Sequence, residues 1–92
     1  MVKKSEIKKK IDLILELQKN GVECPKVLRV MEDVDRNLFL DEGVKSKSNE
    51  NIALPISCGQ TISQPLIVGL MTQSLEIEKS MRILEIGTGS GY

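Results

Sequence analysis

An apolar run that breaks into three alternating glycines constrains this chain more than any other stretch. It reads Met81-Arg82-Ile83-Leu84-Glu85-Ile86-Gly87-Thr88-Gly89-Ser90-Gly91-Tyr92. Such a pattern is how a buried parallel strand enters a tight loop that a ligand can approach closely. It predicts a strand over 82–86 and a glycine loop from 87. A helix should begin where the sequence stops, so these residues read as the opening of a cofactor domain whose remainder is absent.

Length agrees with that expectation. The chain has 92 residues, whereas a complete doubly wound domain takes roughly 100–200. Apolar residues make up 40%, enough for a packed core and too many for disorder throughout. A net charge of +0 gives no global attraction to nucleic acid or to an anionic membrane. There is no histidine. That excludes a Ser-His-Asp or Cys-His triad within the chain and makes a zinc site improbable. Cys24 and Cys58 stand far apart and suit reduced thiols in the cytoplasm. Asp12 and Glu16 interrupt the apolar segment after the basic N-terminus, so the segment does not read as a signal peptide. No run is long enough to span a membrane.

Taken in order, residues 5–20 predict a helix. Ile7, Ile11, Ile14 and Leu15 form a stripe with Leu17 beside it, Ser5 stands as the cap and Gly21 as the terminator. Lys3, Lys4, Lys8, Lys9 and Lys10 read as a solvated helix face, because no aromatic residues interleave with them for nucleic-acid binding. Pro25 opens a second helix whose inner positions are Val27, Val30, Met31 and Val34, with Leu28 at the margin. Phe39 is expected to plug the small helical core. Residues 41–51 are polar and read as a mobile surface loop. Residues 52–56 are apolar but too short to classify. Ser63 is placed to cap a third helix, with Pro65 in its first turn and Ile67, Leu70, Met71 and Leu75 on its buried face.

The glycine spacing, Gly87-x-Gly89-x-Gly91, differs from the G-x-G-x-x-G of dinucleotide folds, since Tyr92 falls where the third glycine belongs. No Lys-Ser/Thr pair follows, which excludes a Walker loop. Glu85 is an acid at a strand position that normally holds an apolar residue. It is costly there unless it meets a cation or donors. A ligand ammonium group, a lysine or backbone amides could each serve.

Leu84-Glu85-Ile86-Gly87-Thr88-Gly89-Ser90-Gly91-Tyr92 resembles the first motif of S-adenosylmethionine-dependent methyltransferases. Leu54-Pro55-Ile56, followed by Gly59-Gln60-Thr61-Ile62-Ser63-Gln64-Pro65, is more specific. It resembles the segment before that motif in protein-L-isoaspartate O-methyltransferases. Val30-Met31, Val34-Asp35-Arg36 and Phe39 fit the same family's N-terminal helices. The resemblance covers nearly the whole chain. It implies an α/β, Rossmann-like methyltransferase fold, truncated here. Residues 1–63 would supply the N-terminal helices and active-site loop, and residues 64–92 the start of the methyltransferase domain. The implied reaction transfers methyl from S-adenosyl-L-methionine to the free carboxylate of an isoaspartyl residue in a damaged protein. Ser63 matches the active-site serine. Gln60, Thr61 and Ile62 match the loop around cofactor and substrate, and Glu85, Gly87, Thr88, Gly89 and Gly91 the cofactor motif. The chain departs from the family pattern at Ser57 and Cys58, where aromatic residues or histidine are frequent, and at Leu66, where histidine is. A non-catalytic remnant or a small helical interaction module is the competing reading. A dinucleotide oxidoreductase is disfavoured by the glycine spacing.

Overall fold

A computed structural model describes residues 4–92; Lys3 of the basic run lies outside them. Among the described residues the fold is mixed: three helices and one small antiparallel hairpin, with short 3-10 turns between. Helix α1 spans Lys4–Lys19, α2 Pro25–Asp33 and α3 Pro65–Ser74. Strand β1 is Leu54–Pro55 and β2 is Thr61–Ile62, with Leu54 opposite Ile62.

The α1–α2 turn follows from Gly21, whose φ of 115° is open to glycine. The Val22 amide donates to the Leu17 carbonyl at 3.0 Å and the Gly21 amide to that of Gln18 at 3.3 Å. This is the Schellman pairing, and its usual apolar contact is present as Val22 and Leu17, both 0% exposed. Pro25 takes the first turn of α2. Cys24, at the cap position, makes no side-chain cap bond. Gln73 of α3 acts instead: its Oε1 accepts from the amides of Glu23 and Cys24 at 2.7 and 2.8 Å, and its Nε2 donates to the Gly21 carbonyl at 3.0 Å.

The first core is Leu13, Leu17, Val22 and Met31, flanked by Ile14, Val27, Leu28, Leu66, Val68 and Leu70. Several expected inner positions face out. Ile7, Ile11 and Leu15 are exposed on α1, Val30 on α2, Ile67 and Met71 on α3, and Leu75 just after it. The physical reason is that α1 carries two apolar stripes and α3 is apolar most of the way round. Periodicity therefore detects these helices without selecting the face that meets a neighbour. Ser5 lies inside α1 rather than capping it. Lys10 departs from the solvated lysine face: its Nζ donates to the Val34 carbonyl at 2.8 Å. Burial lowers its pKa, and Asp35 and Glu32 partly oppose that.

A second core holds Leu40, Leu54 and Ile62, with Phe39, Val44, Ile56 and Tyr92 around it. Phe39 thus serves the hairpin core and not the helical one. Residues 41–51 are more ordered than a polar loop suggests. They contain a 3-10 turn over Glu42–Lys47, and Ser48 is buried. Residues 82–86 do not form the expected strand; Leu84 and Ile86 are 85% and 88% exposed. A parallel strand needs hydrogen-bonding neighbours, and none of the described residues lies beside this segment as a strand.

Gly69 sets the closeness of α3 to the α1–α2 turn. An added Cβ would stand 2.9 Å from Val22 Cγ2 and 3.1 Å from Met31 Sδ. The methionine can bend away, but the β-branched Val22 is fully buried and stiff. Overpacking costs about 1–3 kcal/mol, against a gain of about 0.5–1 kcal/mol for alanine over glycine in a helix. Gly69→Ala should therefore lose about 1 kcal/mol in urea denaturation, lowering the thermal midpoint by about 4–8 °C. An unchanged or raised midpoint would mean that the crossing is looser than described.

Candidate functional site

The Gly59–Pro65 stretch forms the far side of the hairpin and the entry to α3. Extended backbone alternates its side chains. Thr61 is exposed, Ile62 is buried in the second core, and Ser63 is exposed again. Gln60 is also exposed. Cys58, with φ 64°, and Gly59, with φ 68°, make the hairpin bend. Ser63 does not cap α3. Gln64 holds that position without a side-chain cap bond, and the Leu66 amide donates to Asn51 Oδ1 at 2.9 Å. Asn51, from the preceding loop, supplies the acceptor that the sequence pattern assigned to Ser63. Gln64 returns a bond of 3.0 Å from its Nε2 to the Asn51 carbonyl.

Behind this loop lies Arg36, only 1% exposed. Its Nη1 donates to the carbonyls of Ser48 (3.3 Å) and Glu50 (3.1 Å). Its Nη2 donates to those of Ile52 (2.7 Å) and Ser63 (3.1 Å). The planar fork suits such a set of fixed acceptors. Burial lowers the guanidinium pKa, and the Tyr92 phenol raises it in part. Sequence reasoning quotes Arg36 only within the resemblance of the N-terminal helices and gives it no role at the site. Asp35-Arg36-Asn37 has the look of a solvated turn, and Asp35 does cap it, accepting from the Asn37 amide at 2.9 Å. No local signal distinguishes an arginine aimed inward from one aimed at water.

The glycine loop has the backbone its composition predicts. Gly87, Gly89 and Gly91 have φ values of 77°, 60° and 91°, a region that residues with a Cβ seldom enter. The Gly91 amide closes a turn on the Thr88 carbonyl at 3.0 Å. Tyr92 then folds back onto the second core. Its ring meets Phe39 edge-on, with centroids 5.5 Å apart and planes at 61°. Arg36 sits over the same ring, 5.6 Å from its centroid.

Arg36 therefore touches both halves of the predicted site, through the Ser63 carbonyl on one side and Tyr92 on the other. Ile62 and Tyr92 also share the second core. Glu85, Gly87, Thr88 and Gly89 are exposed. Glu85 is thus not the buried strand acid that the pattern implied, because 82–86 is not in a sheet. An open, mainly apolar groove of about 1110 Å³ runs between α2, α3 and the 76–79 turn, with Tyr92 on its wall. Among the described residues no cluster of three or more His, Cys, Asp or Glu could hold a metal. Among the described residues no helix is long and apolar enough to cross a membrane.

Burial raises the Tyr92 phenol above its usual pKa, and the Arg36 charge offsets part of the rise. The folded form thus holds its proton more tightly than the unfolded one. The stability this contributes is fully present below the unfolded value of about 10 and is lost as pH rises through the folded value. Lys10 is shifted down and acts in the opposite sense at alkaline pH, so the phenol is best followed directly. Tyr92 is the only tyrosine and there is no tryptophan, which makes phenolate absorbance unambiguous. The midpoint should lie above about 10 and fall back toward it in Phe39→Ala. An ordinary midpoint in the folded wild-type chain would show that the ring is solvated.

A sequence model of the family "Protein-L-isoaspartate(D-aspartate) O-methyltransferase" matches residues 8–92. A protein-L-isoaspartate O-methyltransferase of Rhodospirillum rubrum is 55% identical over 84 residues, covering 91% of this chain and 38% of the relative. Those of Paramagnetospirillum magneticum and Caulobacter sp. strain K31 are 54% and 58% identical over 82 and 80 residues. These matches cover 89% and 87% of this chain and 38% and 37% of the respective relatives. The chain thus spans under two-fifths of the length of these relatives. With a match across both the Gly59–Pro65 loop and the glycine loop, the chain belongs to the protein-L-isoaspartate(D-aspartate) O-methyltransferase family.

Proposed function

We propose that this chain forms the N-terminal part of an enzyme that methylates the free carboxylate of isoaspartyl residues in damaged proteins. The observation that carries the reading is the state of Ser63. Its side chain is exposed, it is relieved of capping by Asn51, and its backbone is held by Arg36. A serine on a fixed backbone with no helix to cap is available to a ligand.

In this reading residues 1–63 supply the helices and the substrate loop. Residues 64–92 begin a Rossmann-like methyltransferase domain in which 82–86 becomes a strand. A substrate carboxylate, with a pKa of about 4, is already ionised at neutral pH, so no general base is required. Ser63 donates one hydrogen bond to it and fixes its direction. Gln60 and Thr61 border the same exposed edge, and Ile62 anchors the loop from below. The glycine loop fits S-adenosylmethionine in kind. Its three positive-φ glycines leave the backbone open, and nothing lies within 4 Å of where a Gly87 Cβ would stand. The Glu85 carboxylate suits the ammonium end of that molecule, while Thr88, Gly89 and Gly91 complete the cradle. When bound, the cofactor supplies an electrophilic methyl group. The protein's own contribution is alignment and exclusion of water. Isoaspartyl peptides and proteins are the partners, and the free thiols Cys24 and Cys58 suit the cytoplasm.

The test of Ser63 uses residues 1–92 joined to the C-terminal part of the Rhodospirillum rubrum relative. Ser63→Ala should lower kcat on an isoaspartyl peptide roughly ten- to a hundredfold, the worth of one hydrogen bond to a charged group, with little change in cofactor affinity. Normal turnover in the folded variant would remove Ser63 from the site, and an inactive wild-type hybrid would sink the functional reading.

The 92-residue chain alone should bind the cofactor poorly and methylate nothing. Residues 82–86 have no strand partner among the described residues, so ordering the loop is not offset by contacts. Calorimetric titration should show no micromolar affinity. Tight binding, or turnover above a protein-free control, would mean that the helices and hairpin form a sufficient site by themselves.

A further inference from the structure

Arg36 makes contacts that its place in the sequence does not announce. Three of its bonds gather the carbonyls of Ser48, Glu50 and Ile52. The fourth reaches the carbonyl of Ser63 itself, and the guanidinium face covers Tyr92, the residue that ends the glycine loop. The Ser63 bond fixes the peptide plane immediately after the serine, and the buried Ile62 fixes the residue before it. The direction of the exposed Ser63 side chain is therefore set from below by Arg36. Tyr92, held between Arg36 and Phe39, sets where the glycine loop returns to the core.

We propose that Arg36 is a positioning residue that couples the two loops: it sets the serine that orients the carboxylate and registers the glycine loop against it. The proposal rests on the functional reading above for its consequence in catalysis, but the coupling itself is a property of the chain. Movement of Tyr92 shifts the guanidinium, and the guanidinium carries the Ser63 peptide with it. Ordering of the glycine loop by a ligand then also orders the serine, and by linkage the reverse holds.

Two experiments test this. In the 92-residue chain, Tyr92→Leu leaves all four carbonyl bonds of Arg36 possible and removes only the ring. Amide hydrogen exchange should speed up at Ile62 and Leu66, while Leu13 and Leu17 in α1 stay as protected as before. Unchanged exchange at Ile62 and Leu66, or an equal loss of protection throughout, would overturn the coupling whatever reaction the protein performs. In the joined enzyme, Arg36→Lys keeps the charge and loses the fork. Per folded molecule, kcat should fall at least about tenfold, with peptide KM and cofactor Kd within about threefold of wild type, as expected for misaligned reacting groups. Tyr92→Leu should lower kcat in the same way, and the double variant should be no worse than the poorer single one. Gly69→Ala, which disturbs the packing of α3 on Val22 and Met31, should keep its kcat per folded molecule. Additive losses, or a fall in kcat that Gly69→Ala reproduces, would reduce Arg36 to a structural residue. If Arg36→Lys does not fold, Tyr92→Leu decides alone through its kcat and its exchange pattern.

Discussion

One buried cation organises the non-helical half of this protein. Burying a charge is expensive unless its hydrogen-bonding capacity is met. Arg36 meets most of its own with four main-chain carbonyls instead of a carboxylate. The arrangement has a structural payoff. Residues 48–52 have few apolar side chains to bury, and Ser63 precedes a helix, so their carbonyls have no regular ladder to join. The guanidinium replaces that ladder and draws two segments of low intrinsic order onto the hairpin. Asn51 and Gln64 add the remaining cross-links. Without the cation the same carbonyls would have to face water, and the second core would lose its roof.

The helical half rests on a different device. Here apolar packing dominates, and polar side chains, Gln73 above all, complete it. Gln73 serves the amides that begin α2 and the carbonyl that ends the α1 turn. A helix start without a capping residue in its own sequence is thus capped from elsewhere. Asn51 does the same for α3. Both cases explain why the local capping signal misled at Ser63: the acceptor that a helix needs can arrive from a distant segment, leaving the nearby serine free.

How much of this was legible in the sequence follows the range of the interactions. Gly21, Pro25 and the three loop glycines report local backbone needs, and the structure gives each the conformation its residue type predicts. The three helices were legible for the same reason. Their buried faces were not, because Ile7, Ile11 and Leu15 are as apolar as Leu13 and Leu17, and only the position of α2 and α3 decides between the stripes. Phe39 was assigned to the wrong core, since the hairpin core is assembled from residues up to 53 positions away, Phe39 and Tyr92 included. Residues 82–86 read as a strand because their composition suits one, but a strand is a property of a sheet. Arg36 left no trace in composition or period. On the functional side, the family match reaches across both loops, whereas the part that one side chain plays in joining them appears only in three dimensions.

The Gln73 cap has a consequence for synthesis on the ribosome. Its partners, Gly21, Glu23 and Cys24, precede it by 49 to 52 residues. The emerging α1 and α2 can pair through Leu17 and Val22, but their joint face and the amides at the start of α2 stay open until α3 has left the exit tunnel. The helical core is therefore completed only after the hairpin residues have already emerged. A nascent chain halted before α3 would present Leu13, Leu17 and Met31 to whatever holds unfinished proteins, and release from that holder would be timed by the arrival of a single glutamine.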